Sequence, residues 1–154
     1  MSKEIERKFL VPDTAFLAGQ GGERLVQAYI CATGRATVRV RIAGARAWLT
    51  LKGRSEGISR TELEYPIPCA DAELCLAELC AEGVVAKTRY RVPHGGHTWE
   101  VDVFEGANAG LVVAEIELGS EQEPFDRPAW LGEEVSGDPR YANSQLAERP
   151  FSRW

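Results

Sequence analysis

The chain has 154 residues, of which 44% are apolar and 27% charged, with a formal net charge of −5 at pH 7. This length fits one domain with its own core, so residues 1–154 are treated as a single domain. The acidic balance argues against duplex nucleic acid as a partner, and no apolar run is long enough for a secretory signal or a membrane span, which predicts a cytoplasmic protein.

Alternation of apolar and charged residues predicts eight β-strands. In chain order they cover residues 4–11, 23–30, 38–42, 48–52, 60–67, 87–92, 99–104 and 113–118. Glycine-rich or polar turns separate many of them, as at Gly44-Ala45 and Gly95-Gly96. Because strands outnumber every other element, the sequence predicts a mainly β fold.

Three segments have helical spacing instead. Residues 13–18 predict a short helical turn, and residues 139–147 a helix near the C-terminus. Residues 71–82 predict a helix that ends before Gly83 and has a broad apolar face of Leu74, Leu76, Leu79 and Cys80. We expect these helices to lie outside the sheet, which makes the fold class α+β.

One face of the predicted strands carries charges of both signs, and the other face is apolar. Eight acidic and eight basic residues occupy the charged face: Glu4, Glu6, Lys8, Arg39, Arg41, Lys52, Arg60, Glu62, Glu64, Lys87, Arg89, Arg91, Glu100, Asp102, Glu115 and Glu117. For one strand, a solvated face is the ordinary interpretation. Repeated over seven strands, the pattern favours an eight-stranded antiparallel closed barrel with a wet, charged interior and helices outside.

The charged residues suit a polyphosphate bound together with a divalent cation. Carboxylates two residues apart on a strand offer oxygen ligands, which favour Mg²⁺, Mn²⁺ or Ca²⁺ over Zn²⁺ or Cu. Lysine and arginine side chains bind phosphate oxygens, and six of them share this face: Lys8, Arg39, Arg41, Lys52, Lys87 and Arg89. The predicted ligand is therefore a small molecule that bears a triphosphate.

The N-terminal segment Glu4-Ile-Glu-Arg-Lys8 resembles the E-x-E-x-K signature of the triphosphate tunnel metalloenzymes, also called the CYTH superfamily. Further segments match in order over nearly the whole chain, at residues 27–29, 39–41, 49–52, 60–65, 87–90, 99–104, 114–118, 132–135 and 141–146. The resemblance implies an eight-stranded tunnel that binds triphosphate and a divalent metal. It is strongest to bacterial stand-alone inorganic triphosphatases.

The resemblance also implies roles for particular residues. Glu4, Glu6 and Glu117 would be the primary ligands of Mg²⁺ or Mn²⁺. Further metal or metal-water ligands would be Glu62, Glu64, Asp102 and Glu115, and the phosphates would bind Lys8, Arg39, Arg41, Lys52, Lys87 and Arg89. Lys87, Lys8 and Glu117 would act most directly in catalysis.

The expected reaction is metal-dependent hydrolysis of inorganic triphosphate to pyrophosphate and phosphate. Three alternatives stay open: an adenylyl cyclase, an enzyme that processes thiamine or nucleoside triphosphates, and a polyphosphate-binding module without activity. Tyr29 and Trp48 are expected to pack in the wall rather than to contact substrate. The sequence leaves the metal preference and the oligomeric state open, a homodimer included.

Overall fold

The computed structural model describes residues 3–80 and 83–154. All eight predicted strands are present: β1 (Lys3–Leu10), β2 (Glu23–Ala32), β3 (Ala36–Ala43), β4 (Arg46–Gly53), β5 (Ser59–Ile67), β6 (Val85–His94), β7 (His97–Phe104) and β8 (Val112–Glu117). The helices are α1 (Cys69–Leu74) and α2 (Asn143–Glu148), with short 3₁₀ turns at Ala15–Leu17, Gly106–Asn108, Pro139–Tyr141 and Phe151–Arg153. None of the helices in this part of the chain is long and apolar enough to cross a bilayer.

The strands form a closed barrel in the order β1-β5-β4-β3-β2-β6-β7-β8, with every neighbouring pair antiparallel. The first strand closes the barrel by pairing with β5 on one side and β8 on the other. In the β1–β8 register, Glu6 lies opposite Glu117 and Lys8 opposite Glu115. The predicted closed antiparallel barrel is therefore confirmed.

The main hydrophobic core lies outside the barrel wall. Phe9 of β1 and Trp99 of β7 are fully buried and meet edge to face at 5.7 Å between ring centroids. Phe125 and Trp130, from the segment that follows β8, each pack edge to face on Trp99. Because the C-terminal segment covers these outward apolar side chains, the alternate positions on the same strands are left to face the barrel interior.

The predicted helix at residues 71–82 begins two residues early and changes character. It opens as α1 at Cys69 and continues as a π-helical turn over Cys75–Leu79; residues 81 and 82 lie outside the described part of the chain. The predicted apolar face is wrong at Leu74 and Leu79, which are 56% and 58% exposed. The π-helical turn explains part of the difference, because its wider repeat rotates the later side chains away from the face of the preceding turns.

The predicted C-terminal helix is two elements. A 3₁₀ turn, Pro139–Tyr141, is separated from α2 by Ala142, whose ψ of 135° is extended. This break lets Ala142, Asn143 and Ser144 reach the barrel interior, while Leu146 is buried against Val85 and Phe104.

Candidate active site

A cavity of about 530 Å³ occupies the barrel interior. Twelve of the thirteen predicted site residues line it: Glu4, Glu6, Lys8, Arg39, Arg41, Lys52, Glu62, Glu64, Lys87, Arg89, Glu115 and Glu117. Asp102 is the exception; it is 1% exposed and lies behind Lys87 and Arg89. Closure of the barrel thus brings the charged faces of strands from distant parts of the chain to one cavity.

Acidic and basic side chains are concentrated on opposite sides of this cavity. We call β1 and its neighbours β5 and β8 the acidic wall, which carries Glu4, Glu6, Glu62, Glu64, Glu115 and Glu117. We call β3 and β6, which flank β2, the basic wall; it carries Arg39, Arg41, Lys87 and Arg89. Since β1 and β2 are four strands apart in a ring of eight, the two walls face each other across the lumen.

Carboxylates in the acidic wall crowd one another. Burial, together with the neighbouring Glu115 and Glu4, raises the pKa of Glu6 well above its ordinary value. Burial alone would also raise the pKa of Glu115, but Lys8 and a hydrogen bond from Glu6 hold it well below that value. The pKa values of Glu6 and Glu115 therefore shift in opposite directions, as expected where two carboxyl groups lie close together.

Two lysines offset part of this negative charge. Lys52 Nζ lies 3.0 Å from Glu4 Oε1 and 3.2 Å from Glu62 Oε2. Lys8 Nζ lies 3.9 Å from Glu115 Oε1 and donates to the Tyr141 carbonyl at 3.2 Å. Lys8 thus ties the acidic wall to the C-terminal segment.

The acidic wall has the donor chemistry of a site for a hard divalent cation. Its ligating atoms are carboxylate oxygens, which Mg²⁺ and Mn²⁺ prefer, and their mutual repulsion is what a cation would relieve. Within residues 3–80 and 83–154, no three carboxylate, histidine or cysteine side chains are gathered closely enough to enclose an ion. The residues fit such an ion in donor type and charge, and binding it would require these carboxylates to draw together around it.

The basic wall offers guanidinium groups to an anion. Arg41 Nε donates to Gln27 Oε1 at 2.8 Å, and no carboxylate of the described residues forms a salt bridge with this arginine. Burial, with Arg39 and Arg89 nearby, lowers the pKa of Arg41 to about 10. Arg39 bonds Thr50 Oγ1 at 3.1 Å, and its buried Nε has no partner in the described part of the chain. Arg41 therefore keeps its terminal nitrogens as donors for an incoming phosphate, whereas Arg39 also forms an ion pair with Glu64 at 3.5 Å.

Lys87 and Arg89 share one buried carboxylate. Asp102 lies 2.7 Å from Lys87 Nζ and takes two hydrogen bonds from Arg89, at 2.8 and 2.9 Å. Burial lowers the pKa of Lys87 to about 7 even though Asp102 opposes that shift. Burial would lower the pKa of Arg89 as well, but Asp102 raises it above its ordinary value. Asp102 therefore fixes two cations of the basic wall.

The charge pattern missed several neutral residues of the site. Gln27, Thr50 and Asn143 each bond a side chain of the basic wall. All three lie in segments that resemble the CYTH superfamily, but a neutral side chain contributes nothing to the pattern of charge. Tyr29 and Trp48 do line the cavity, and the Arg46 guanidinium lies 5.1 Å from the Trp48 ring centroid.

Comparison with known proteins agrees with this geometry. The family model for the CYTH domain matches residues 2–149. The chain is 47% identical over 154 residues to an inorganic triphosphatase of Acetivibrio thermocellus, covering 100% of this chain and 99% of that protein. It is 39% identical over 153 residues to an inorganic triphosphatase of Nitrosomonas europaea, covering 94% and 96%. The crystal structure of the inorganic triphosphatase NE1496 superposes with a TM-score of 0.66 at 35% identity, covering 96% and 95%.

Proposed function

The chain belongs to the CYTH family, and from this membership and the two facing walls we propose that it hydrolyses inorganic triphosphate to pyrophosphate and phosphate. One observation carries the proposal: a single cavity sets the guanidinium group of Arg41, which has no carboxylate partner among the described residues, opposite crowded carboxylates such as Glu6 and Glu115. A polyphosphate anion satisfies the first group, and a divalent cation the second. The named activity of the two bacterial relatives supports this substrate.

We assign the metal to the acidic wall. Glu4, Glu6 and Glu117 would hold Mg²⁺ or Mn²⁺, with Glu62, Glu64 and Glu115 as further ligands or as acceptors for its water. Asp102 is left out of this set, because Lys87 and Arg89 already engage its oxygens. When bound, the cation supplies electrostatic stabilisation of the charge on the phosphoryl oxygens.

The chain's own side chains bind and orient the triphosphate. Arg39, Arg41, Lys52, Lys87 and Arg89 hold its oxygens, and Lys8 reaches it from the opposite wall. Glu117, which is exposed to solvent at the edge of the acidic wall, orients the attacking water and accepts its proton. The water oxygen bonds the terminal phosphorus, the bond to the bridging oxygen breaks, and pyrophosphate leaves while Lys87 and Lys8 offset its charge.

A panel of phosphate compounds tests this proposal. Purified protein is incubated with triphosphate, pyrophosphate, ATP, thiamine triphosphate or long-chain polyphosphate, each with Mg²⁺, Mn²⁺ or Ca²⁺. We expect triphosphate to yield one pyrophosphate and one phosphate with Mg²⁺ or Mn²⁺, pyrophosphate to persist, and Ca²⁺ to support little turnover because its coordination is looser. Cyclic AMP formed from ATP in place of triphosphate cleavage would favour a cyclase, and binding without release of phosphate would favour a binding module.

A matched pair of arginine variants checks that turnover occurs at this cavity. Arg41→Gln removes the donors of the basic wall that lack a carboxylate partner, whereas Arg35→Gln changes an exposed arginine in the turn between β2 and β3. We expect Arg41→Gln to lower kcat/KM for triphosphate about 30-fold or more, since a hydrogen bond to a charged group contributes about 2 kcal/mol. Arg35→Gln should retain activity; equal losses in both variants would argue against this site.

A further inference from the structure

Asn143 joins the C-terminal segment to the basic wall. It is the first residue of α2 and lines the cavity. Its Oδ1 accepts hydrogen bonds from Lys87 Nζ at 2.9 Å and from Gln27 Nε2 at 3.2 Å. Gln27 is fully buried and in turn accepts from Arg41 Nε at 2.8 Å. Two neutral amides thus connect Lys87 of β6 to Arg41 of β3.

Arg41, at one end of this network, fixes the orientation of both amides. An arginine Nε–H can only donate, so the Gln27 atom that meets it is the oxygen, and the Gln27 nitrogen is left to donate to Asn143. Because the Gln27 nitrogen can only donate, the Asn143 atom that meets Gln27 and Lys87 is its oxygen. The Nδ2 amide of Asn143 makes no hydrogen bond to any residue that the structure describes. It is therefore a donor without a protein partner on a residue that lines the cavity.

We propose that Asn143 is a substrate-binding residue: its Oδ1 holds Lys87 in place, and its Nδ2 donates a hydrogen bond to an oxygen of the bound triphosphate. The inference rests on the proposed function for the identity of the anion. It makes the C-terminal segment part of the phosphate site rather than only a cover for the barrel. Ala142 has an extended backbone that interrupts the helix, and this is what brings Asn143 to the cavity.

Binding of triphosphate in EDTA tests this without requiring turnover. Calorimetric titration would compare the wild type with Asn143→Ala, Asn143→Asp and, as a control on the exposed side of α2, Gln145→Ala. We expect Asn143→Ala to raise the Kd about tenfold, because a hydrogen bond from a neutral amide to a charged phosphate oxygen is lost. Gln145→Ala should bind within about twofold of the wild type.

The aspartate variant separates substrate binding from a structural role. Its carboxylate retains acceptor oxygens for Lys87 and Gln27, so the thermal unfolding midpoint should stay close to that of the wild type. It loses the amide donor and adds a negative charge, so we expect its Kd to exceed that of Asn143→Ala, with a parallel rise in KM during hydrolysis. Tighter binding by Asn143→Asp than by Asn143→Ala would show that only the acceptor bonds to Lys87 and Gln27 matter, and that order would overturn the inference.

The two proposals fail separately. A wild type that binds triphosphate without cleaving it would refute the proposed reaction and leave the role of Asn143 to be judged from the Kd values. A wild type that cleaves triphosphate while Asn143→Ala and Asn143→Asp both bind it normally would refute only the role of Asn143.

Discussion

Asp102 shows that residue type and strand position do not settle the role of a side chain. The family resemblance implies that Asp102 is a further ligand of the metal or of its bound water. Its carboxylate oxygens are instead bonded to Lys87 and Arg89, and the residue is 1% exposed. Removal of Asp102 would leave the buried side chains of Lys87 and Arg89 without a counter-charge. The role of Asp102 is therefore to hold these two side chains in position.

The depressed pKa of Lys87 leads to a prediction about protons. Its pKa is lowered from 10.5 to about 7, chiefly by burial, so the side chain is mostly neutral in the free protein near pH 8. Bound triphosphate stabilises the ammonium form and raises this pKa; binding near pH 8 should therefore take up close to one proton, and near pH 6 about none. Calorimetry in EDTA, in buffers of different ionisation enthalpy, measures the uptake.

The control for this prediction is Lys87→Met, which removes the ammonium group and keeps an apolar chain. Triphosphate has protons of its own, so the informative quantity is the difference between the two proteins. Equal proton uptake by the wild type and Lys87→Met near pH 8 would show that another group titrates.

Among the elements, the C-terminal segment does more than its short helices indicate. Lys8 of β1 donates to the Tyr141 carbonyl, and Asn143 bonds Lys87 of β6. Leu146, one turn further along α2, is 1% exposed in a cluster with Val85 and Phe104. Packing on the outside of the barrel therefore positions polar groups on the inside.

We predict that Leu146→Ala lowers the free energy of unfolding by about 2–4 kcal/mol, because it removes a buried side chain and leaves a cavity. Leu79→Ala, at a leucine that is 58% exposed, should change it by less than about 0.5 kcal/mol. Urea unfolding of both variants gives the comparison. Similar losses would mean that α2 contributes no more to stability than an exposed turn.

On the scale of the whole molecule, strand order creates the site. Consecutive strands along the chain contribute charges of both signs, so the sequence order does not separate them. Closure of the barrel places β1 between β5 and β8, and β2 between β3 and β6. This arrangement gathers carboxylates on one side and cations on the other, with Lys52 of β4 bonded to Glu4 and Glu62 of the acidic wall.

The crowding of the acidic wall predicts that Mg²⁺ stabilises the folded protein in the absence of substrate. A cation that binds only the native state adds about 2.7 kcal/mol at 100 times its Kd, which should raise the thermal unfolding midpoint by several degrees relative to EDTA. Glu6→Gln should raise the midpoint in EDTA, since it removes a buried carboxylate that neighbouring carboxylates repel, and should weaken the response to Mg²⁺.

Glu105→Gln is the matched control, because Glu105 pairs with Arg24 on the outer surface. Its midpoint and its response to Mg²⁺ should follow the wild type. A wild-type midpoint that is the same in EDTA and in saturating Mg²⁺ would contradict a cation site in the acidic wall.

The pattern of residues along the chain is sufficient to predict the strands and the charged face of each strand. Alternation has a period of two, so a shift of one residue would exchange the apolar and the charged face of a strand. The local pattern and the burial in the folded barrel therefore agree at residues such as Phe9, Lys87 and Trp99. The resemblance to the CYTH superfamily predicted in addition that the chain is similar to triphosphatases. These signals are local in the chain, so they can be recognised without knowing which residues are in contact in the folded protein.

The folded barrel is needed to show which charged residues face each other and which are already paired. Asp102 pairs with Lys87 and Arg89 across the β6–β7 hairpin, whereas Arg41 has no carboxylate partner among the residues that the structure describes. Alternation places all four side chains on the charged face but does not say which of them come within bonding distance. Neutral residues such as Asn143 carry no periodic signal, so their roles emerge only from the atoms they contact. A change of a few tenths of an ångström in the donor–acceptor distance decides whether a side-chain hydrogen bond forms. These distances are set by packing of the whole fold rather than by spacing along the chain.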